Sequence, residues 1–274
     1  MARRTSPWPS SPRRSADCTD AAVALGPSAA RGTDQSRETN GESRWAGTVR
    51  AETSETAARI RTTPCAAYDR VIASASARAV PYAWVAQIRP GGAILTPWGN
   101  AYDNGALARL TVDEHGAAHG PFVDNTVAFM WLRAQRAVRP TPPTEPADAA
   151  ESTTTLHPDA VAWHDYDAKF AVGLRLPDVS VRFSDADDGS DDFTFWAFSG
   201  PSWARVDVTD GASTYQVRRH GPRALWSEIE AAYRWWEEIG RPATGRFGLA
   251  ITPDRQYIYL DSPDNLVRSD HREG

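Results

Sequence analysis

Residues 68–99, which read YDRVIASASARAVPYAWVAQIRPGGAILTPWG, contain the pattern of a strand, a helix and a second strand. Val71 opens an apolar run that ends in small residues, and Pro81 stands where a helix begins, with apolar residues after it on one face. A Pro-Gly-Gly turn at 90–92 precedes the second apolar run, 93–98. Strands that alternate with a helix form parallel sheets, so this stretch predicts an α/β fold.

Antiparallel strands are expected to close an edge of this sheet. Residues 106–112 alternate between apolar and polar, 113–116 have the composition of a turn, and 117–123 can return beside the first run. Residues 64–138 are therefore predicted to form a partial α/β domain that ends in a hairpin.

The first 63 residues differ in composition from the rest of the chain. They are rich in Ser, Thr, Arg and Ala, and their only apolar run is 21–25. Without sustained strand or helix periodicity, such a segment cannot bury enough surface to offset the entropy of ordering it. Residues 1–63 are predicted to be disordered and without a core.

A Pro-rich and Thr-rich linker, 139–156, is predicted to separate the first folded part from a second one, 157–264. The second part combines short strand patterns with one long amphipathic helix, which indicates a smaller α+β domain before a tail at 265–274. Its predicted elements are strands at 179–183, 193–198, 204–208 and 214–217, a helix at 223–239, and a hairpin at 247–260.

Charge and cysteine content exclude several classes of protein. The net charge is −5 and the sequence has no basic stripe, which argues against a nucleic-acid partner. No apolar run is long enough to cross a membrane. Cys18 and Cys65 fit no metal or redox spacing. The sequence predicts a cytoplasmic protein with no membrane, nucleic-acid or metal partner.

The stretch at 68–99, followed by GALARLTVDEHGAAHGPFVDNTVAFMWL, resembles the C-terminal half of a protein-L-isoaspartate O-methyltransferase. The likeness lies in the ordered combination of strand, Val-Pro helix, Pro-Gly-Gly turn, strand and closing hairpin. The later stretches YQVRRHGPRALWSEIEAAYRWWEEIGRP and FGLAITPDRQYIYLDSPD are similar to the extra C-terminal domain of actinobacterial members of that family that are linked to ribosomal-peptide maturation. The resemblance implies the C-terminal half of a Rossmann-like class I methyltransferase sheet, followed by the α+β domain.

The activity that the resemblance implies is methyl transfer from S-adenosylmethionine to an Asp or isoAsp carboxylate of a protein or peptide. In the family, cofactor and substrate meet near the carboxyl end of the strand that corresponds to residues 71–74. The implied cofactor-binding residues are Ala73 and Ser74. The implied substrate-binding residues are Ser74 and Ser76, with Val80 and Pro81 shaping the wall. No catalytic residue is assigned, because a carboxylate with a pKa of about 4 is already ionised at neutral pH and needs no general base.

The N-terminal part departs from the family pattern, in which a Gly-rich loop follows the first strand and an acidic residue follows the second. The glycines of this part are isolated, and no strand is predicted before any of them: Gly26, Gly32, Gly41 and Gly47. The segment is then either a replaced N-terminus or the product of a shifted reading frame. Two functions stay open: a carboxyl methyltransferase with impaired cofactor binding, or a truncated, non-catalytic peptide-binding protein.

Overall fold

The computed structural model describes residues 22–25, 68–123, 127–136, 140–186 and 190–271. They form a large mixed sheet, a smaller antiparallel sheet and few helices, so the predicted α/β class is confirmed. Apart from four residues, the N-terminal segment that was predicted to be disordered lies outside the described residues.

The described residues contain three α-helices and thirteen strands. The helices are α1 (Tyr82–Ala86), α2 (Tyr166–Arg175) and α3 (Leu225–Glu238). The first five strands are β1 (Ala22–Leu25), β2 (Tyr68–Ala73), β3 (Ile88–Trp98), β4 (Ala106–Val112) and β5 (Ala118–Val123). The next five are β6 (Ala150–Thr154), β7 (Ser180–Asp185), β8 (Phe193–Ser199), β9 (Ser202–Val208) and β10 (Tyr215–His220). The last three are β11 (Phe247–Ile251), β12 (Arg255–Leu260) and β13 (Leu266–His271).

The large sheet has eight strands in the order β1-β2-β3-β4-β5-β11-β12-β13. Strands β1, β2 and β3 run parallel, and the strands from β3 onward pair antiparallel. The Pro-Gly-Gly sequence lies within β3 as a bulge rather than in a separate turn, because Tyr68 pairs with Ile88 whereas Arg70 pairs with Ala93. Gly91 has a φ of 78°, which a glycine adopts without strain.

A strand precedes Gly26, so the prediction that none does is wrong. Residues 22–25 form β1 and pair in parallel with β2, with Leu25 opposite Ala73. Four residues are too few for periodicity to indicate a strand, but a neighbouring strand supplies hydrogen-bond partners for a short apolar run.

The last strands of the chain extend the large sheet. The predicted hairpin of β11 and β12 is confirmed, and β11 pairs with β5, with Gly248 opposite Pro121. Strand β13, in the predicted tail, pairs with β12. Segments on both sides of the predicted linker therefore share one sheet. The sequence did not predict this pairing, because hydrophobic periodicity indicates a strand but not which neighbouring strand it joins.

The smaller sheet is antiparallel, with the order β6-β10-β9-β8-β7. Its edge strand β6 lies in the segment that was predicted to be a linker, 139–156. Glu145 in the same segment accepts hydrogen bonds from Arg205 and Arg218. Leu156 is the only large apolar residue of this segment, yet backbone pairing and ion pairs also hold it in place, and a count of apolar residues detects neither.

Replacing Glu145 with glutamine is expected to lower the free energy of unfolding by about 1–2 kcal/mol, because a carboxamide has one acceptor oxygen and no charge, so one of the two arginines loses its acceptor. Urea unfolding followed by circular dichroism measures this loss. Glu151 provides a matched control: its side chain is 68% exposed, against 15% for Glu145, and it lies 3.4 Å from Arg218. Its replacement with glutamine should cost less than about 0.5 kcal/mol. Equal losses for the two variants would contradict the assigned role of Glu145.

Helices α2 and α3 join the two sheets. Phe170 of α2 and Trp236 of α3 pack in the core of the large sheet, whereas Val172 and Ile229 pack against the small sheet. The Phe170 ring lies 4.9–6.1 Å from three aromatic rings of the large sheet, those of Trp98, Phe122 and Phe247. Asn100 donates to the Gly173 carbonyl of α2 at 2.9 Å, and the Ala101 N–H donates to the Pro177 carbonyl at 2.9 Å, so the segments around 99–101 and 173–177 are held together.

Candidate functional site

The carboxyl ends of three parallel strands meet at one edge of the large sheet. Leu25 at the end of β1 is opposite Ala73 at the end of β2, and Ile72 of β2 is opposite Leu95 of β3. Gly26 follows β1 directly, and Ser74 follows β2 directly. Ligands of open α/β sheets bind at such an edge, so the sequence-predicted cofactor residues Ala73 and Ser74 lie at a suitable place.

Ser76 is fully buried and is bonded to the segment 129–132. Its hydroxyl donates to the Phe129 carbonyl at 3.2 Å, its N–H donates to the Met130 carbonyl at 2.8 Å, and its carbonyl accepts from the Leu132 N–H at 2.8 Å. These bonds give Ser76 a role in holding the loop after β2. Ser74, two residues earlier, is half-buried.

Val80 and Pro81 lie in the wall of a cleft of about 590 Å³. Val80 is buried, and Pro81 is the residue before α1. The structure thus brings these two predicted residues to one cleft, while Ser74 and Ser76 lie outside its lining. The other lining residues come from both sides of the predicted linker: Arg78, Ala79, Gly99, Asn100, Gln135, Pro177, Asp178, Gln256, Arg268 and Asp270.

Two glutamine side chains hold the backbone of the loop 78–80. The Gln135 carboxamide oxygen accepts from the N–H groups of Arg78 and Ala79 at 2.6 and 3.1 Å, and its amide donates to the Ala79 carbonyl at 2.7 Å. On the other side, the Gln256 oxygen accepts from the Val80 N–H at 3.1 Å, and its amide donates to the Arg78 carbonyl at 2.7 Å. Each carboxamide acts on this loop as a neighbouring strand would.

Arg78 is the cleft residue with the least compensated charge. Its guanidinium carbon lies 4.9 Å from the centre of the Trp131 ring, within the range of a cation–π contact. Its Nε is buried without a hydrogen-bond partner, and the guanidinium makes no ion pair with any residue that the structure describes. Burial lowers the pKa of Arg78, but an arginine remains charged at neutral pH.

The other charged groups of the cleft are paired within the protein. Arg268 donates to both carboxylate oxygens of Asp270, at 3.0 and 2.7 Å, although its Nη1 is buried without a partner. Asp178 accepts from Ser199 and Arg223. Partial burial opposes ionisation of Asp178, but these hydrogen bonds and the charge of Arg223 outweigh it and hold its pKa below the usual range.

The cleft residues Arg78, Gln135 and Gln256 did not emerge from the sequence. Arg78 lies only two residues before Val80, but a single arginine in a loop forms no sequence pattern that would indicate a binding site. Gln256 carries a weak signal, because it is a polar residue at the start of the otherwise apolar strand run QYIYL. Within the described ranges, no three His, Cys, Asp or Glu side chains are grouped to hold a metal ion. No helix of the described part is long and apolar enough to span a membrane.

Comparison with known proteins identifies part of the chain. Residues 52–132 match the family model of protein-L-isoaspartate(D-aspartate) O-methyltransferase. These residues are thus similar to this family, and the resemblance predicted from the sequence is confirmed over that range. A solved structure titled protein-L-isoaspartate O-methyltransferase matches with 17% identity and a TM-score of 0.31, over 72% of this chain and 55% of that chain. A search of the curated proteins found no match.

Proposed function

We propose that this protein transfers a methyl group from S-adenosylmethionine to an Asp or isoAsp carboxylate of a protein or peptide. The observation that carries the proposal is the match of residues 52–132 to a family whose name states O-methyl transfer to L-isoaspartate or D-aspartate of a protein. The matched range includes β2 to β5 and the loop 74–81, which contains the proposed contact residues. We propose the cytoplasm as the place of action.

The described residues at the carboxyl edge of β1 and β2 fit the cofactor. Ala73, Ser74 and Ala75 have small side chains, and Ser74 and Ala75 are half-buried, so these three residues leave room at the end of β2. Ala73 and Ser74 would hold the cofactor on this side. Bound S-adenosylmethionine supplies an electrophilic methyl group on a sulfonium.

The chain itself has to orient an acceptor that is already reactive. A carboxylate is ionised at neutral pH, so the protein needs to fix its position and exclude water rather than remove a proton. Ser74 is the proposed substrate contact, Ser76 holds the loop that carries it, and Val80 and Pro81 form an apolar wall. The two glutamines keep this wall in place.

The C-terminal residues support a role in substrate binding. Pro177, Asp178 and Gln256 lie in the lining of the same cleft as Val80 and Pro81. A peptide that enters the cleft would therefore contact both the methyltransferase-like segment and residues 157–264. We propose that residues 157–264 recognise the peptide while residues 64–138 position its carboxylate.

Methyl transfer is tested with radiolabelled S-adenosylmethionine and two peptides that differ only in one Asp or isoAsp residue. We expect base-labile incorporation of label into at least one of them. Replacement of Ser74 with valine should reduce the rate at least about tenfold, because a bulkier apolar group then occupies the strand end. Replacement of the exposed Arg109 with alanine is the control and should leave the rate unchanged. No incorporation by a folded sample that binds the cofactor would contradict the proposal.

A second candidate function is peptide binding without catalysis. The cleft favours it, because its lining includes none of the residues 73–76, where the cofactor and the methylated carboxylate are proposed to bind. Titration calorimetry with S-adenosylmethionine separates the two candidates. Binding tighter than about 100 μM, or about −5.5 kcal/mol, supports the methyltransferase, whereas peptide binding without cofactor binding supports the second candidate.

A further inference from the structure

The backbone of Arg78 is held at three points, yet its charged group has no counter-ion among the described residues. The Arg78 N–H donates to Gln135 at 2.6 Å. Its carbonyl accepts from the Trp98 indole at 3.0 Å and from Gln256 at 2.7 Å. The side chain then lies over Trp131 at the cleft. Contacts from three separate parts of the chain thus fix the backbone position from which the Arg78 side chain extends.

An incompletely solvated guanidinium without an acceptor is energetically unfavourable. A buried donor that lacks a partner costs about 1–3 kcal/mol, and more when the group is charged. The Nε of Arg78 is such a donor. Such a donor is satisfied by water or by a ligand, and Arg78 lines a cleft of about 590 Å³ that has room for a ligand. This position favours a ligand as the source of the missing acceptor.

The remaining charges of the cleft do not provide that acceptor. Asp270 is bonded to Arg268, and Asp178 is bonded to Arg223 and Ser199. The second buried nitrogen without a partner, Nη1 of Arg268, belongs to the same lining. Two guanidinium groups with unused donors on one cleft favour an anion with planar oxygens, and a carboxylate matches the fork of an arginine.

We propose that Arg78 binds an acidic side chain of the peptide substrate, other than the carboxylate that is methylated. The substrate class is therefore an acidic peptide, and this assignment rests on the proposed function. The methylated oxygen has to remain nucleophilic, and pairing with a guanidinium withdraws electron density from it. Arg78 also lines the cleft, whereas the strand end at Ser74, where the cofactor is proposed to bind, does not.

A fluorescence anisotropy experiment tests the assignment without depending on methyl transfer. The probe is a fluorescein-labelled, C-terminally amidated peptide of alternating Gly and Asp, and its counterpart has Asn in place of Asp. We expect the wild-type protein to bind the Asp peptide about 10- to 100-fold more tightly. The variant Arg78→Met replaces the guanidinium with an uncharged, unbranched side chain and should lose this preference, whereas Arg78→Lys should retain part of it. Arg109→Ala, which removes the same charge from an exposed position of β4, should retain all of it.

A second measurement uses the wild-type protein alone. Phenylglyoxal modifies accessible arginines, and mass spectrometry reports the modification of each arginine. The Asp peptide should protect Arg78 from modification, and the Asn peptide should not. This result does not depend on the folding of a variant.

The outcomes separate this assignment from the proposed function. Loss of the Asp preference in Arg78→Met supports the assignment even if no peptide is methylated. Equal binding of Asp and Asn peptides by the wild-type protein overturns it, as does unprotected Arg78 in the presence of bound Asp peptide. A loss of S-adenosylmethionine binding in Arg78→Met, with peptide binding unchanged, would place the cofactor carboxylate at Arg78 and also overturn it.

Discussion

Replacement of Phe170 with alanine is expected to lower the free energy of unfolding by about 3–5 kcal/mol. The Phe170 side chain is almost fully buried and contacts Trp98, Phe122 and Phe247. These three rings belong to different strands of the large sheet, so the substitution leaves a cavity where α2 meets that sheet. The smaller side chain also loses the edge-to-face contacts of its ring.

Urea unfolding followed in parallel by circular dichroism and by tryptophan fluorescence measures this effect. We expect one coincident transition for the wild-type protein and for the variant, with a lower midpoint for the variant. Phe129→Ala is the matched control, because this ring is 43% exposed, and its loss should cost less than about 1 kcal/mol. Two separate transitions in the wild-type protein would show that residues 64–138 and 157–264 unfold independently, and would contradict the expected size of the effect.

The sequence predicts the elements of this fold better than their partners. The pattern at 247–260 indicates a hairpin because two apolar runs flank a turn, and the hairpin forms as predicted. The pattern does not indicate that β11 pairs with β5, because strands pair through backbone hydrogen bonds, and these do not depend on which side chains the strands carry. The same reason explains β6, whose polar residues pair with β10 through backbone groups.

The candidate site shows a similar division. Val80 and Pro81 were found through a resemblance, and both lie in the cleft. Gln135 and Gln256 lie about 55 and 175 positions further along the chain, and only the folded chain brings their carboxamides to the loop 78–80. Arg78 becomes informative only when its burial and its lack of an acceptor are known. Of the sequence-derived residues, Val80 and Pro81 therefore form part of the cleft wall, whereas the polar residues Arg78, Gln135 and Gln256 are identified only from the folded structure.

Replacement of Gln256 with leucine is expected to lower the free energy of unfolding by about 2–4 kcal/mol, because two backbone groups lose a partner. Gln256 is only 3% exposed, and it bonds the buried N–H of Val80 and the carbonyl of Arg78. Leucine has a similar volume, so the loss should come from unpaired polar groups rather than from a cavity. The Arg78 carbonyl keeps its bond from the Trp98 indole, so most of the lost stability should come from the bond between the Val80 N–H and Gln256.

Gln135→Leu separates burial from hydrogen bonding in the same loop. Gln135 makes three bonds to Arg78 and Ala79, but it is half-buried and Ala79 is exposed, so water can replace the lost partners. We expect this variant to lose less than about 1 kcal/mol in urea unfolding, despite the larger number of bonds. Hydrogen exchange should show faster exchange of the Val80 amide in Gln256→Leu and unchanged exchange in Gln135→Leu. Equal energetic losses, or a Val80 amide that stays protected in Gln256→Leu, would mean that the loop is held by packing around Val80. The position of Arg78 in the cleft would then not depend on the Gln256 carboxamide.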